Sequence, residues 1–186
     1  MCPGGIFINQ TSNPEWWRIL LRGDVSDNID FQSRDSGGTA AATTSTAYTA
    51  NAWHHVCGVE ISSTSRAVYL NGGGKGTNTT SRSPAGTNSV RAGLSVNGTT
   101  RQFPVNGRFA EFAVWNTNLN DSEVLSLAHG VCPIRIRTSN LQIYLPIFGS
   151  SSPETDYSGG VRNFTVTGSL PQADHARVAP PFGFDM

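Results

Sequence analysis

The chain has 186 residues, a formal net charge of zero and only 14% charged residues. A nucleic-acid binder needs a basic excess to neutralise phosphates, and this chain has none. Nor is it a disordered chain, because 37% hydrophobic residues spread along its length can bury a core.

The 20 glycines and 10 prolines, with many Ser, Thr and Asn, suit short strands joined by turns. The start, Met1-Cys2-Pro3-Gly4-Gly5, lacks a basic segment followed by an apolar core. No secretory leader is therefore expected, and no apolar run reaches membrane-spanning length. Cys2, Cys57 and Cys132 are odd in number and widely spaced, forming neither a zinc pattern nor a disulfide framework. Without a secretory signal, the N-x-S/T triplets at Asn78, Asn97 and Asn163 carry little meaning.

In chain order, residues 6–8 (IFI) are a short apolar start and 9–15 a polar loop with Pro14. Residues 16–21 (WWRILL) read as a strand by bulk and brevity. A turn at 24–28 leads to a second strand at 29–34, closed by Gly37-Gly38. Residues 39–51 are rich in Thr and Ala, and the Thr with Tyr48 favour extended structure. Residues 53–72 (WHHVCGVEISSTSRAVYLNG) read as a β-hairpin. Its first arm alternates, so Trp53, His55, Cys57, Val59 and Ile61 form one mostly apolar face. Residues 62–65 supply the reversal, Val68 and Leu70 share a face on the return, and Asn71-Gly72 is a strong turn pair. Such faces need a second sheet above them, and Trp53, Cys57, Val59, Val68 and Leu70 are the expected core.

Residues 72–88 read as a surface loop or weak strand pair, 90–96 as a strand and Asn97-Gly98 as a turn. Residues 107–116 (GRFAEFAVWN) are apolar on both faces apart from Glu111, as in a strand covered on both sides. Asn120 and Glu123 have the spacing of a capping box, and Leu119 and Val124 that of a hydrophobic staple. They start a helix over 121–129 that Gly130 can end. Residues 134–137, 141–147 and 163–167 read as further strands, 149–160 as a loop, and the chain from Pro171 as extended.

No nucleophile motif, phosphate-binding loop or paired Cys/His arrangement is present. His54 and His55 invite a metal reading, but neighbours on a strand face opposite ways, so packing explains them better. Glu111 needs hydrogen-bond partners if buried, and backbone N–H groups of a neighbouring loop are the expected donors. A catalytic role would need a second carboxylate at matched distance, and the Glu-x-Asp-x-x-Glu spacing of sandwich-fold glycanases is absent. Asp24, Asp27, Asp30 and Asp35 form an acidic group able in principle to bind calcium through oxygen. Asp24, Asp27 and Asp30 are its weak ligand candidates, with solvated turn residues the favoured reading. Trp16, Trp17, Tyr48 and Trp115 are aromatic candidates for stacking on sugar, against a core role for most.

The order Trp53-His54-His55-Val56, Val68-Tyr69-Leu70-Asn71-Gly72, Gly107-Arg108-Phe109-Ala110-Glu111, Val114-Trp115-Asn116, Leu119 and Glu123 resembles the laminin G-like, concanavalin A-like jelly-roll family. The likeness covers roughly residues 16–130. It implies an all-β antiparallel sandwich with one short peripheral helix, and the family's calcium-site residues have no clear counterpart here. Gly130-Val131-Cys132-Pro133, residues 141–146, 152–156 and 174–178 resemble the C-terminal extension of such domains in tailed-phage and marine viral proteins.

The resemblance implies a domain over 1–136 and an extension over 137–186 that packs on the sandwich or on neighbouring subunits. It implies a non-enzymatic structural protein located in the virion, a capsid decoration (cement) or tail accessory protein. Its partners would be major capsid or tail proteins, as a homo-oligomer or bound to the shell, with no nucleic acid and no membrane. The alternative is a lectin-like adhesion module for cell-surface glycans. No cofactor is expected beyond the weak calcium site. Such domains open with an extra strand, which the sequence here lacks. The exposed edge of the 107–116 strand is then expected to be covered by residues 141–147, with Pro146 suited to an edge; the other candidate is strand addition by a neighbouring subunit.

Overall fold

The computed structural model describes residues 4–9, 15–23, 26–86, 89–93, 95–97, 100–102, 105–148, 152–168 and 174–176, the side chains of 4–9, 95–97 and 100–102 excepted. The chain divides into two compact units, Met1–Gly107 and Arg108–Met186.

The first unit is an antiparallel β-sandwich. One sheet has five strands, in the order β4 (Gly38–Thr43), β3 (Asn28–Asp35), β2 (Trp16–Arg22), β1 (Gly4–Asn9), β8 (Ser89–Ala92). The other has three, β5 (Val56–Ser62), β6 (Ser65–Leu70) and β7 (Gly73–Asn78). Strands β9 (Ser95–Asn97) and β10 (Thr100–Gln102) pair with each other; the expected turn residue Gly98 lies between them, outside the described residues. Ile29, Phe31 and Ala42 of the larger sheet pack against Val68 and Leu70 of the smaller, with Trp17, Ile19, Tyr48 and Val56 around them. Burying such side chains stabilises by about 1.5–3 kcal/mol each.

Three details correct the sequence reading of this unit. The opening strand is present: β1 pairs along its whole length with β2 and also with β8. Residues 6–8 are short, but flanking residues extend them to a six-residue strand, a normal length. Second, the inward face of β5 carries the even residues. Val56 joins the core, Gly58 lies under the Phe31 ring and Glu60 meets Ser33. The opposite face is also well buried at Val59, Ala67 and Tyr69, so alternation alone could not tell the two apart. Third, Trp53 is 44% exposed and Ile61 51% exposed. Trp53 precedes the first strand residue, Val56, and the register shifts by Ile61 between Glu60 and Ser62, so neither follows the strand's alternation. Val59, Val68 and Leu70 are buried as expected.

Glu60 is accommodated inside the sandwich by Arg66, whose side chain is fully buried. Arg66 donates to Glu60 Oε2 at 3.2 Å, Asn78 Oδ1 at 2.9 Å, Thr80 O at 2.8 Å and Ser63 O at 2.9 Å. A buried guanidinium persists only with its donors satisfied in this way. The β6–β7 turn is Asn71-Gly72, both at positive φ, as a two-residue hairpin loop requires. Along one side the sheets meet at a seam. Ser45 N donates to Gly74 O at 3.0 Å, and the Thr43 carbonyl fills the space a Cβ on Gly76 would need.

In the second unit β11 (Phe112–Trp115) pairs antiparallel with β12 (Leu141–Leu145), the pairing expected for the tail segment. The strand of 107–116 is shorter than predicted, because Glu111 turns to φ 56 just before it. Helix α1 (Asp121–Ala128) carries both bonds of the capping box and ends before Gly130 at φ 86. Leu119 and Val124, the predicted staple, are both buried. The predicted strand at 134–137 is instead a 3₁₀ turn, Pro133–Arg135, followed by another at Thr138–Asn140. Pro133 suits the first position of such a turn, and Arg137 at φ 42 breaks any extended run. The predicted strand at 163–167 reduces to one bridge, between Phe164 and Glu154.

Candidate functional site

The larger sheet turns one face to the core and one away from it. Register and alternation put Trp16, Arg18, Leu20 and Arg22 of β2 on the outer face, beside Asp30, Gln32 and Arg34 of β3. Thr43 of β4 lies opposite Asp30, and Arg91 of β8 lies one strand beyond Arg18, across β1.

These side chains form a connected polar layer. Asp30 is 1% exposed. It accepts from Thr43 Oγ1 at 2.7 Å, Gln32 Nε2 at 2.8 Å and Arg22 Nη1 at 3.3 Å. Gln32 in turn accepts from Arg18 Nε at 2.7 Å. The Arg18 guanidinium lies 4.2 Å above the centroid of the Trp16 ring, a cation–π contact. Burial lowers the Arg18 pKa to about 10; Asp30 acts against that shift and Arg34 adds to it. The layer is thus a fixed array of guanidiniums, an amide, a hydroxyl and an aromatic face. Such groups orient polar, ring-shaped ligands through directional hydrogen bonds and stacking.

The sequence-derived candidates fall as follows. Asp30 belongs to this layer, and its oxygens already take three donors, one of them a cation. Asp27 stands at φ 52 in the β2–β3 turn, where its carbonyl accepts from Tyr48 N at 2.8 Å. Asp24 lies outside the described residues. Asp35 anchors a different loop, accepting from Gly37 N at 2.8 Å and Ser83 N at 2.9 Å. Among the described residues, no group of three His, Cys, Asp or Glu side chains gathers as a metal site. His54 bonds locally, to Thr49 and Asn71. His55 is held down to a pKa of about 4 by burial, and burial raises the Cys57 thiol to about 12. Trp17 and Tyr48 pack against the core, and Trp115 donates to Ile136 O at 2.7 Å. Of the four aromatic candidates, Trp16 is the one on the outer face.

Glu111 has partners other than the expected backbone N–H groups. Its Oε2 accepts from the Tyr144 hydroxyl at 2.7 Å, and its Oε1 lies 3.5 Å from His175 Nε2. Cys132 donates to the same hydroxyl at 3.3 Å. Burial pushes the Glu111 pKa up, against the Tyr144 bond and the nearby His175. The correction has a simple cause: residues distant in sequence, 132, 144 and 175, converge on Glu111, and no local pattern announces that. Asp156 is a second hub, accepting from the backbone N–H of Tyr144, Ser158 and Arg162, each at 2.9 Å.

Arg18, Arg22, Gln32, Arg34 and Thr43 were not singled out from the sequence. The available signal was the polar alternation of W-x-R-x-L-x-R facing D-x-Q-x-R, which reads equally as an ordinary solvated strand face.

Among solved structures the chain is similar to an S-layer domain-containing protein (residues 221–444) from Clostridium thermocellum. The likeness has 24% identity and a TM-score of 0.41, over 67% of this chain and 63% of that one. No curated protein sequence matches the chain. The model of the concanavalin A-like lectin/glucanases superfamily matches residues 3–125, about two thirds of the chain. Together with the sandwich described above, that match makes this chain a member of the concanavalin A-like lectin/glucanases superfamily.

Proposed function

We propose that the protein is a non-enzymatic, carbohydrate-binding β-sandwich that takes its ligand on the outer face of the larger sheet. The observation that carries this reading is the Trp16–Arg18–Gln32–Asp30 chain of contacts, a stacking surface joined to a hydrogen-bonded polar layer. Fold membership alone does not fix function, so the site carries the argument. A glycan array, run with and without calcium, tests it. Binding in at least one condition is expected, reduced by Trp16→Ala in protein that still melts cooperatively. No binding above background in either condition would overturn the reading. Polysaccharide turnover abolished by Glu111→Gln would overturn its non-enzymatic part.

A second reading concerns where such a domain works. We propose a virion surface component, mounted on major capsid or tail proteins as a decoration or tail accessory subunit and presenting the sandwich to cell-surface glycans. One observation favours it beyond the sequence resemblance. Four segments that resemble viral C-terminal extensions supply Cys132, Tyr144, Asp156 and His175, which meet around Tyr144 and Glu111. The described residues of the extension are therefore tied together by side-chain hydrogen bonds. Quantitative mass spectrometry of purified particles is expected to find the chain in fixed ratio to the major capsid or tail protein; its absence there would sink this reading.

A further inference from the structure

Both ring nitrogens of His175 face acceptors. Nδ1 lies 2.7 Å from the Ala176 carbonyl oxygen, and Nε2 lies 2.7 Å from the Pro146 carbonyl oxygen. The Glu111 carboxylate stands 3.5 Å from the same Nε2. A carbonyl oxygen cannot donate, and a neutral imidazole carries one N–H. Either neutral tautomer would therefore set a nitrogen lone pair against a carbonyl oxygen. The imidazolium, with two N–H groups, satisfies both contacts and meets the Glu111 charge as well.

The backbone that supplies these acceptors is bent into costly conformations. Glu111 stands at φ 56, and Ile147, the residue after Pro146, at φ 59. Left-handed backbone is uncommon outside glycine and a true outlier for a β-branched residue. Such strain collects at switch regions. The two bends are joined: Glu111 N donates at 3.1 Å to Pro146 O, the oxygen that also faces His175. Among the described residues, the ionisable groups around the ring are Glu111, the Tyr144 hydroxyl and Cys132 thiol behind it, and Asp174 on the same segment. Phe148, with its ring centroid 5.2 Å from that of His175, adds no charge.

We propose that His175 is a proton-operated latch for the extension. As an imidazolium it pins residues 174–176 to Pro146 and Glu111, and loss of one ring proton releases them. A neutral ring protonated on Nδ1 loses its bond to Pro146; one protonated on Nε2 turns a lone pair on the Ala176 carbonyl and forces the segment to move. The ring is 25% exposed, so solvent can take the proton. Histidine is the side chain that ordinarily makes this exchange between about pH 5 and pH 8. The latch is shut on the acid side of the exchange and open on the alkaline side. At still lower pH Glu111, whose pKa burial pushes up, takes a proton and its attraction fades, while both carbonyl bonds remain.

The test is nitrogen NMR of the full chain, labelled in backbone and histidine rings, between about pH 5.5 and about pH 9. His175→Gln assigns the ring signals. At the acid end both His175 ring nitrogens are expected to carry protons, and the amides of His175 and Ala176 to be as rigid as those of β12. At the alkaline end one proton is gone and those two amides move on the nanosecond timescale, with β12 unchanged. Glu111→Gln removes the facing charge and should move both changes together to lower pH, by about half a pH unit or more. Cooperative melting shows whether that variant is folded; if it is not, the wild-type profile alone decides. A singly protonated His175 ring at the acid end overturns the proposal. So do amides that are rigid at both ends or mobile at both, and a profile unmoved in folded Glu111→Gln.

Discussion

The Phe31 ring occupies the space that a side chain on residue 58 would need: a Cβ added to Gly58 would press on Phe31 Cδ2, Cγ and Cε2. The two residues sit on facing sheets, and their contact sets how closely the sheets approach. Gly58→Ala should therefore overpack the core and cost about 1–3 kcal/mol, measured by urea denaturation. Phe31→Leu added to that variant should recover part of the loss, although it destabilises the wild type. Additive losses in the double variant would show that the two sites do not share a space.

Tyr144 joins Cys132 to Glu111 through one hydroxyl. Tyr144→Phe leaves the ring packing intact and removes the donor to Glu111. A loss of about 1–3 kcal/mol is expected, and Glu111→Gln should be non-additive with it in a double-mutant cycle. Independent effects would place the stabilisation elsewhere.

Asp156 provides a pH dependence with a definite sign. Burial acts to raise its pKa, but the N–H groups of Tyr144, Ser158 and Arg162, with the Ser158 hydroxyl, outweigh burial and hold it below the ordinary aspartate value. A depressed folded pKa contributes stability that is present above the unfolded value of about 3.9 and is lost as pH falls through the folded value. Asp156→Asn should cost about 1–3 kcal/mol at neutral pH, and its deficit should narrow below about pH 4. A deficit constant from neutral pH to pH 2 would contradict this account.

Asn120 caps α1 by accepting from Glu123 N at 2.9 Å, while Glu123 Oε2 accepts from Asn120 N at 2.8 Å. Asn120→Ala should cost about 1 kcal/mol by thermal or chemical melting. A loss several times larger would give the residue another role.

Removing residues 138–186 takes away β12 and leaves β11 with an unpaired apolar edge. Such edges recruit other chains, so the truncated protein is expected in the insoluble fraction or as large aggregates by size-exclusion chromatography. A soluble, folded monomer would show that the edge needs no cover.

The hairpin at 53–72 and α1 were legible because their signals are local. Asn71-Gly72 fixes a two-residue turn by backbone conformation, and Asn120 with Glu123 fixes a helix start by side-chain reach. The inward face of β5 was not, because both of its faces are buried and Gly58 contributes nothing to an apolar count. Its importance lies in what it leaves room for. Ile134 and Ile136 alternate like a strand, yet Pro133 and the left-handed Arg137 prevail over that pattern. The candidate site was the least legible part. Arg18 and Gln32 lie on neighbouring strands, and their roles arise only when register brings them side by side.

The seam between β4 and β7 makes the sandwich polar as a building block. Both sheets end there, with Gly76 so close to Thr43 that no third strand can slip between them. Of the outer strands of the two sheets, β4 and β7 are thus closed off by each other, so that side of the sandwich offers no edge for strand addition.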